Sequence, residues 1–94
     1  MENENLVLDV GTKRITDVIV LFIQRLENLV LLEEQEQADK LKPLIEMLIH
    51  IEWFYPNSTV SISVGLGVIT YYLNLDFLNL PGKTVDLFKI DINK

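Results

Sequence analysis

The chain contains no cysteine and only one histidine, His50. Without thiols it forms no disulfide, no thiolate zinc site, no iron–sulfur centre and no cysteine-based nucleophile. A single imidazole also leaves a very short list of metal ligands. We therefore expect neither a metal nor another cofactor. The lack of disulfides fits a reducing compartment, so we predict a cytoplasmic protein.

Long apolar runs and basic patches are also missing. The longest uninterrupted apolar run covers residues 18–23, whereas a helix needs about 20 apolar residues to span a bilayer. Residues 1–5 are acidic and polar, unlike a signal or transit peptide. The net charge of −6 and the scattered Lys and Arg residues oppose binding to nucleic acid through a basic patch and to anionic membranes. We expect neither partner.

Apolar residues, by contrast, are plentiful: they make up 49% of the 94 residues, and the mean hydropathy is +0.25. We expect a disordered N-terminus over residues 1–5 and a single domain over residues 6–94. A domain of this size buries only about 60–65% of the surface that its unfolded chain exposes. Part of its apolar surface should therefore be covered by another copy of the chain or by a different protein.

A long helix is predicted over residues 13–35, where apolar side chains recur at spacings of three and four. Its main stripe consists of Ile15, Val18, Ile19, Phe22, Leu26, Leu29 and Val30. Further apolar side chains fall outside that stripe, namely Val20, Leu21, Ile23, Leu31 and Leu32. Such a helix is either packed on two sides or carries an association surface, and we predict a homodimer formed through residues 15–32. The alternative is that residues 18–23 form a short buried strand, because they are rich in β-branched residues.

A second helix is predicted to begin near Lys42, because proline is tolerated in the first helical turn and Pro43 follows at once. It should end near Tyr55, since Pro56 disfavours helical geometry in the residue before it. The polar, acidic segment 33–39 is then the end of the first helix plus a connection.

After residue 58 the apolar pattern changes to a period of two, which predicts three strands. Reversals are expected at residues 65–67 and at Pro81 and Gly82, where glycine permits positive φ. The apolar positions are Val60, Ile62 and Val64, then Ile69, Tyr71, Leu73, Leu75 and Phe77, then Phe88, Ile90 and Ile92. The alternating polar positions, which predict a solvated face, include Ser61, Ser63, Thr70, Tyr72, Asn74, Lys89 and Asp91.

A short strand over residues 6–10, ended by Gly11, precedes the helices. The order is therefore β-α-α-β-β-β. It predicts an α+β fold with two layers, in which a two-helix hairpin packs on a three- to four-stranded antiparallel sheet.

Catalytic motifs are not evident. Glu46 and His50 share one helix face at a spacing of four, but a metal site needs at least a third ligand. Residues 82–84 match the end of a phosphate-binding loop, but Phe77 stands where that loop needs glycine. Residues 65–67 lack the third glycine of a dinucleotide fingerprint. We therefore predict that the protein is not an enzyme.

Two groups of residues are candidates for binding a partner. The acidic cluster, Glu33, Glu34, Glu36 and Asp39, either is a solvated helix face or attracts a basic protein. The second group contains the aromatic residues Trp53, Tyr55 and Tyr72, which either close a core or serve as interface anchors.

The favoured hypothesis is a small, acidic, non-enzymatic protein-binding module. It would belong to the inhibitor, antitoxin, immunity-factor or accessory-subunit type and bind itself and a second, unidentified protein. The alternative is a small-ligand-binding domain or minimal enzyme. Its pocket would lie between helices and sheet and use His50, Glu46, Tyr71 and Tyr72.

Overall fold

The computed structural model describes the backbone of residues 7–92 and side-chain exposure from residue 11. Residues 1–5, predicted to be disordered, lie outside this range. The elements are β1 (Val7–Arg14), α1 (Ile15–Leu31), α2 (Gln35–Phe54), β2 (Thr59–Gly65), β3 (Val68–Asn74), a 3-10 helix (Asp76–Leu78) and β4 (Thr84–Asp91). This order and the α+β class are as predicted.

The chain forms two compact units. The helical unit, Arg14–Ser58, contains α1 and α2, and the sheet unit contains the strands on either side of it. The packing of the helical hairpin on the sheet stays a prediction.

The helix α1 begins directly after β1, which runs through Gly11 rather than ending there. Gly11 has φ of 119°, which glycine adopts without steric cost, so the chain bends without leaving the strand. Residues 18–23 lie within α1, so the strand alternative for them is wrong. One stripe of α1 is almost fully buried, namely Ile15, Val18, Phe22 and Leu29.

The turn after α1 explains why this helix ends at Leu31 rather than at residue 35. Glu33 has φ of 58°, and its backbone N–H donates to Val30 O at 3.1 Å. The N–H of Glu34 donates to Leu29 O at 2.8 Å. These two bonds form a Schellman motif, which satisfies the last carbonyls of the helix and reverses the chain.

The helix α2 begins at Gln35, so the predicted start near Lys42 is wrong. Pro43 lies inside the helix, where it has no N–H for the carbonyl of Asp39 and its ring crowds that carbonyl. The helix continues through it because a single buried stripe extends on both sides of the proline. This stripe is Ala38, Leu41, Ile45 and Leu48.

The two helices pack against each other as a hairpin. Its ends are held together by hydrogen bonds at the base. Ile15 N donates to Ser58 O at 3.0 Å, and Arg14 Nη2 donates to Asn57 Oδ1 at 3.1 Å. The Ser58 hydroxyl donates to Tyr55 O at 2.7 Å, which satisfies a carbonyl at the C-terminus of α2.

The four strands form one antiparallel sheet in the order β1-β2-β3-β4. Its register gives one apolar face and one polar face. The apolar positions are Val60, Ile62 and Val64 on β2, Ile69, Tyr71 and Leu73 on β3, and Val85, Phe88 and Ile90 on β4. The register also places the predicted polar residues together on the other face. Thr70, expected to be solvated, is buried, because it lies on a central strand between Ser63 and Lys89.

The strand that was predicted to extend to Phe77 is shorter than predicted. β3 stops at Asn74, and Asp76–Leu78 form a 3-10 helix. The chain leaves the sheet at Leu75 and returns at Lys83, where Leu75 N donates to Lys83 O at 3.0 Å. The expected turn at Pro81 and Gly82 is present, with Lys83 N donating to Leu80 O at 3.1 Å.

A β-bulge shifts the register of β4. Tyr71 pairs with Phe88 and Tyr72 pairs with Asp86, so Leu87 is the additional residue. Leu87 and Phe88 are both buried. The bulge brings Val85 onto the apolar face with Phe88, which strict alternation would not allow.

The hairpin between β2 and β3 generates a stability prediction. Its two-residue loop is Leu66 and Gly67, with φ of 56° and 77°, as in the type I′ turns that favour Asn-Gly. Leucine is strained there, and the Leu66 side chain is 64% exposed. We expect Leu66→Asn to raise the free energy of unfolding by about 0.5–1 kcal/mol, measured by urea denaturation. Leu66→Ala lacks the short polar side chain that lets asparagine adopt this conformation and should give a smaller gain. A lower urea midpoint for Leu66→Asn would contradict this account.

Pro43 provides a second stability test. Pro43→Ala restores an N–H for the Asp39 carbonyl and removes the ring clash, although it also loosens the unfolded chain. We expect a net gain of about 2 kcal/mol, seen as a higher melting temperature. Lys40→Ala, an exposed change in the same helix, should leave that temperature nearly unchanged. A fall on Pro43→Ala would show that α2 is not continuous through residue 43.

Candidate functional site

The most extensive candidate surface is the outward side of α1. Helical periodicity places Val20 and Leu31 opposite the buried stripe and Ile23 and Val30 on the adjoining flank. We call these four residues the α1 apolar face. Their exposed fractions are 54%, 41%, 51% and 79%. The prediction that Val30 belongs to the buried stripe is therefore wrong. The outward side of α1 is mixed, because it also carries the exposed polar residues Thr16, Gln24 and Glu27.

All the residues predicted to mediate self-association are exposed. Val20 and Ile23 belong to the α1 apolar face, together with Leu31. Leu21 lies at its flank and is 37% exposed, and Leu32, in the turn, is 67% exposed. Exposed apolar side chains scattered singly are normal, but a set at helical spacing indicates an interaction surface.

The aromatic residues at the end of α2 form a second exposed group. Trp53 is 80% exposed, Phe54 is 69% exposed and Tyr55, the C-cap residue, is 43% exposed. The interpretation that such residues close a core does not hold for Trp53 and Phe54. Sequence reasoning selected Trp53 and Tyr55 but passed over Phe54, which the structure leaves more exposed than Tyr55. Tyr72, the other predicted aromatic contact, is half-buried on the polar face of β3.

The acidic cluster lies at the tip of the helical hairpin. Glu33 and Glu34 belong to the turn, and Glu36 is in the first turn of α2, where the helix dipole stabilises a negative charge. Asp39 accepts a hydrogen bond from Gln35 Nε2 at 2.7 Å and lies 3.9 Å from Lys42 Nζ. All four carboxylates are exposed. Their positions are explained by the start of α2, so the cluster does not by itself indicate a binding site.

The polar residues considered for a ligand site belong to two different units. His50 Nδ1 lies 2.9 Å from the backbone oxygen of Glu46, so the imidazole bonds to the main chain rather than to the neighbouring carboxylate. Tyr71 and Tyr72 belong to the sheet unit and point to opposite faces of β3. Among the residues that the structure describes, no three His, Asp or Glu side chains are grouped to hold a metal ion.

Sequence reasoning placed Glu52 on the stripe of the second helix but missed Arg25, which it assigned to the polar side of the first. The buried stripe of α1 has the spacing 15-18-22-25-29, and that of α2 has the spacing 38-41-45-48-52, as in a coiled-coil seam. Arg25 and Glu52 are the charged members of these stripes. Both are partly buried, and Arg25 Nε and Glu52 Oε1 have no hydrogen-bond partner among the residues that the structure describes. Each such atom costs about 1–3 kcal/mol of desolvation. Reading both stripes as heptads would have found Arg25.

Comparisons with known proteins identify no relative: no family model, curated protein or solved structure matches the chain. Neither of the described helices has both the length and the apolar content needed to cross a membrane.

The seam position of Arg25 makes a prediction about stability. Arg25→Met keeps an unbranched side chain and removes the unsatisfied Nε, so we expect unfolding to cost about 1 kcal/mol more. Arg25→Lys also replaces the Nε by a methylene but keeps a charge in the seam, so it should give a smaller gain than Arg25→Met. Chemical denaturation of the two variants beside the unchanged protein measures the difference. Destabilisation by Arg25→Met would mean that the guanidinium has a stabilising contact.

Proposed function

We propose that this chain is a non-enzymatic protein-binding module that associates with itself through the α1 apolar face. The observation that carries the proposal is the α1 apolar face, four apolar side chains outside the buried stripe with exposed fractions of 41% to 79%. The outward side of an ordinary surface helix is mainly polar, whereas in α1 these four side chains stand between Thr16, Gln24 and Glu27. Such a helix fits a protein whose outward apolar residues are covered by another molecule.

The magnitude of the effect suggests a weak complex. Burying the exposed half of a Val, Leu or Ile side chain contributes about 1 kcal/mol. Five such side chains, the α1 apolar face plus Leu21, on each of two copies contribute about 10 kcal/mol. The loss of translational and rotational freedom costs roughly 4–15 kcal/mol. The most favourable balance, about 6 kcal/mol, corresponds to a dissociation constant of roughly 40 μM, so the association should depend on concentration in the range of tens to hundreds of micromolar.

Charge favours an antiparallel arrangement of the two α1 helices. The acidic cluster follows α1 at its C-terminal end, and the net charge of the chain is −6. Parallel helices would bring two such clusters together, whereas antiparallel helices place them at opposite ends. A second copy seated in this way meets the apolar residues without strong like-charge repulsion.

The exposed aromatic residues at the end of α2 supply a surface for a second, different protein. Trp53 and Phe54 are large, rigid side chains of the kind that anchor interfaces. An inhibitor, antitoxin, immunity factor or accessory subunit works by such a surface and needs no catalytic group. A cytoplasmic setting is part of this proposal, since a chain without cysteine is suited to a reducing compartment.

Sedimentation equilibrium at micromolar concentrations tests the self-association. We expect Ile23→Glu to lower the weight-average mass, because it places a charge at the centre of the α1 apolar face. Gln37→Glu adds the same charge to an exposed position of α2 and should have little effect. Circular dichroism establishes that both variants are folded. Equal masses for the unchanged protein and Ile23→Glu would refute the proposal, as would an equal loss in both variants.

A further inference from the structure

The outer edge of the sheet presents a second surface whose pattern fits a particular occupant. We infer that β4 pairs with β4 of a second copy, antiparallel and about a two-fold axis at the β-bulge. This inference concerns the sheet unit alone and does not depend on the α1 apolar face.

The position of β4 makes the pairing available. In the order β1-β2-β3-β4, β4 lies at the edge, and within residues 7–92 its one strand neighbour is β3. The outer side of an edge strand is a template for another strand. β4 covers Thr84–Asp91, which is long for an edge strand and contains no proline.

The sequence of β4 is complementary to itself when read outward from the bulge. Leu87 and Phe88 form the centre, with Asp86 on one side and Lys89 on the other. The next pair outward is Val85 and Ile90. In an antiparallel pair of β4 strands, Asp86 of each copy therefore lies opposite Lys89 of the other, and Val85 lies opposite Ile90. The two-fold axis repeats each contact, so the dimer contains two contacts between Asp86 and Lys89. Each of them joins a negative and a positive side chain.

The bulge is what permits this symmetry. A two-fold axis perpendicular to a sheet requires each residue and its cross-strand partner to lie on the same face. In a regular strand Asp86 and Lys89, three positions apart, would lie on opposite faces. Here Leu87 and Phe88 together oppose Tyr71, so Asp86 and Lys89 share the polar face, opposite Tyr72 and Thr70.

The side chains concerned are accessible to a second copy. Asp86 Oδ2 and Lys89 Nζ are 3.9 Å apart within the chain, and these side chains are 62% and 63% exposed. Such a long, solvated ion pair holds its partners weakly. Val85, on the other face, is 48% exposed. Pairing would exchange a weak contact within each chain for two contacts between chains and would cover Val85 with Ile90.

Charge reversal and mixing test the pairing directly. The background is Ile23→Glu, which removes association through α1. We expect this parent to sediment as a dimer, and Asp86→Lys or Lys89→Asp alone to weaken dimerisation by about tenfold or more, because like charges then face each other twice. An equimolar mixture of the two variants should recover the dimer, since both charge contacts between an Asp86→Lys chain and a Lys89→Asp chain again have opposite signs.

The mixture separates this inference from a loss of folding. Each single variant has lost the ion pair within its own chain, so only contacts between chains can restore association. Asp76→Lys makes the same charge change at an exposed position outside β4 and should leave the dimer intact. A monomeric parent, single variants that dimerise as well as the parent, or a mixture that stays monomeric would each overturn the inference. If the mixture stays monomeric, the outer edge of β4 fits a strand of a different protein instead.

Discussion

One geometric constraint underlies the helical unit: a helix packed in a hairpin buries one stripe, whereas α1 has apolar residues beyond its stripe. Burial of Ile15, Val18, Phe22 and Leu29 accounts for the hairpin, since this stripe and that of α2 share the spacing of a coiled-coil seam. The same seventeen-residue helix leaves the α1 apolar face exposed. Burial of the stripe and exposure of these other side chains are therefore two results of one sequence pattern.

In the sheet unit the corresponding constraint is that successive side chains of a strand point to opposite faces of the sheet. β4 contains apolar residues at 85, 87, 88 and 90, which no regular strand can place on one face. The bulge at Leu87 resolves the conflict by letting two consecutive residues occupy one ladder position. It also moves Asp86 and Lys89 onto the same face. The bulge that completes the apolar face therefore also determines where Asp86 and Lys89 lie at the edge of the sheet.

The elements and their order could be predicted from the sequence, because the apolar residues of α1, β2 and most of β3 recur at regular spacings. Sequence reasoning failed where two rules competed. The start of α2 was not recognised for two reasons. Pro43 favoured a later start, and before it each helical turn contributes a single buried residue, Ala38 or Leu41, among polar ones. Alternation continued past Asn74 into residues that form a 3-10 helix, because backbone contacts with Lys83, remote in sequence, end the strand. The exposed site residues on α1 followed from helical periodicity. The seam position of Arg25 did not, because a charged side chain is ordinarily assigned to the solvated side of a helix.

The hydrogen bond between Ile15 N and Ser58 O has a topological consequence. It joins the two ends of the helical unit, and the strands that continue from those ends, β1 and β2, are neighbours in the sheet. Strand order equals chain order throughout, so the helices are an insertion in an up-and-down meander. Excising them would leave every strand beside the same neighbour. Such an insertion lengthens the connection between β1 and β2 at little entropic cost, because each doubling of a loop's length adds only about 0.6 kcal/mol of closure entropy.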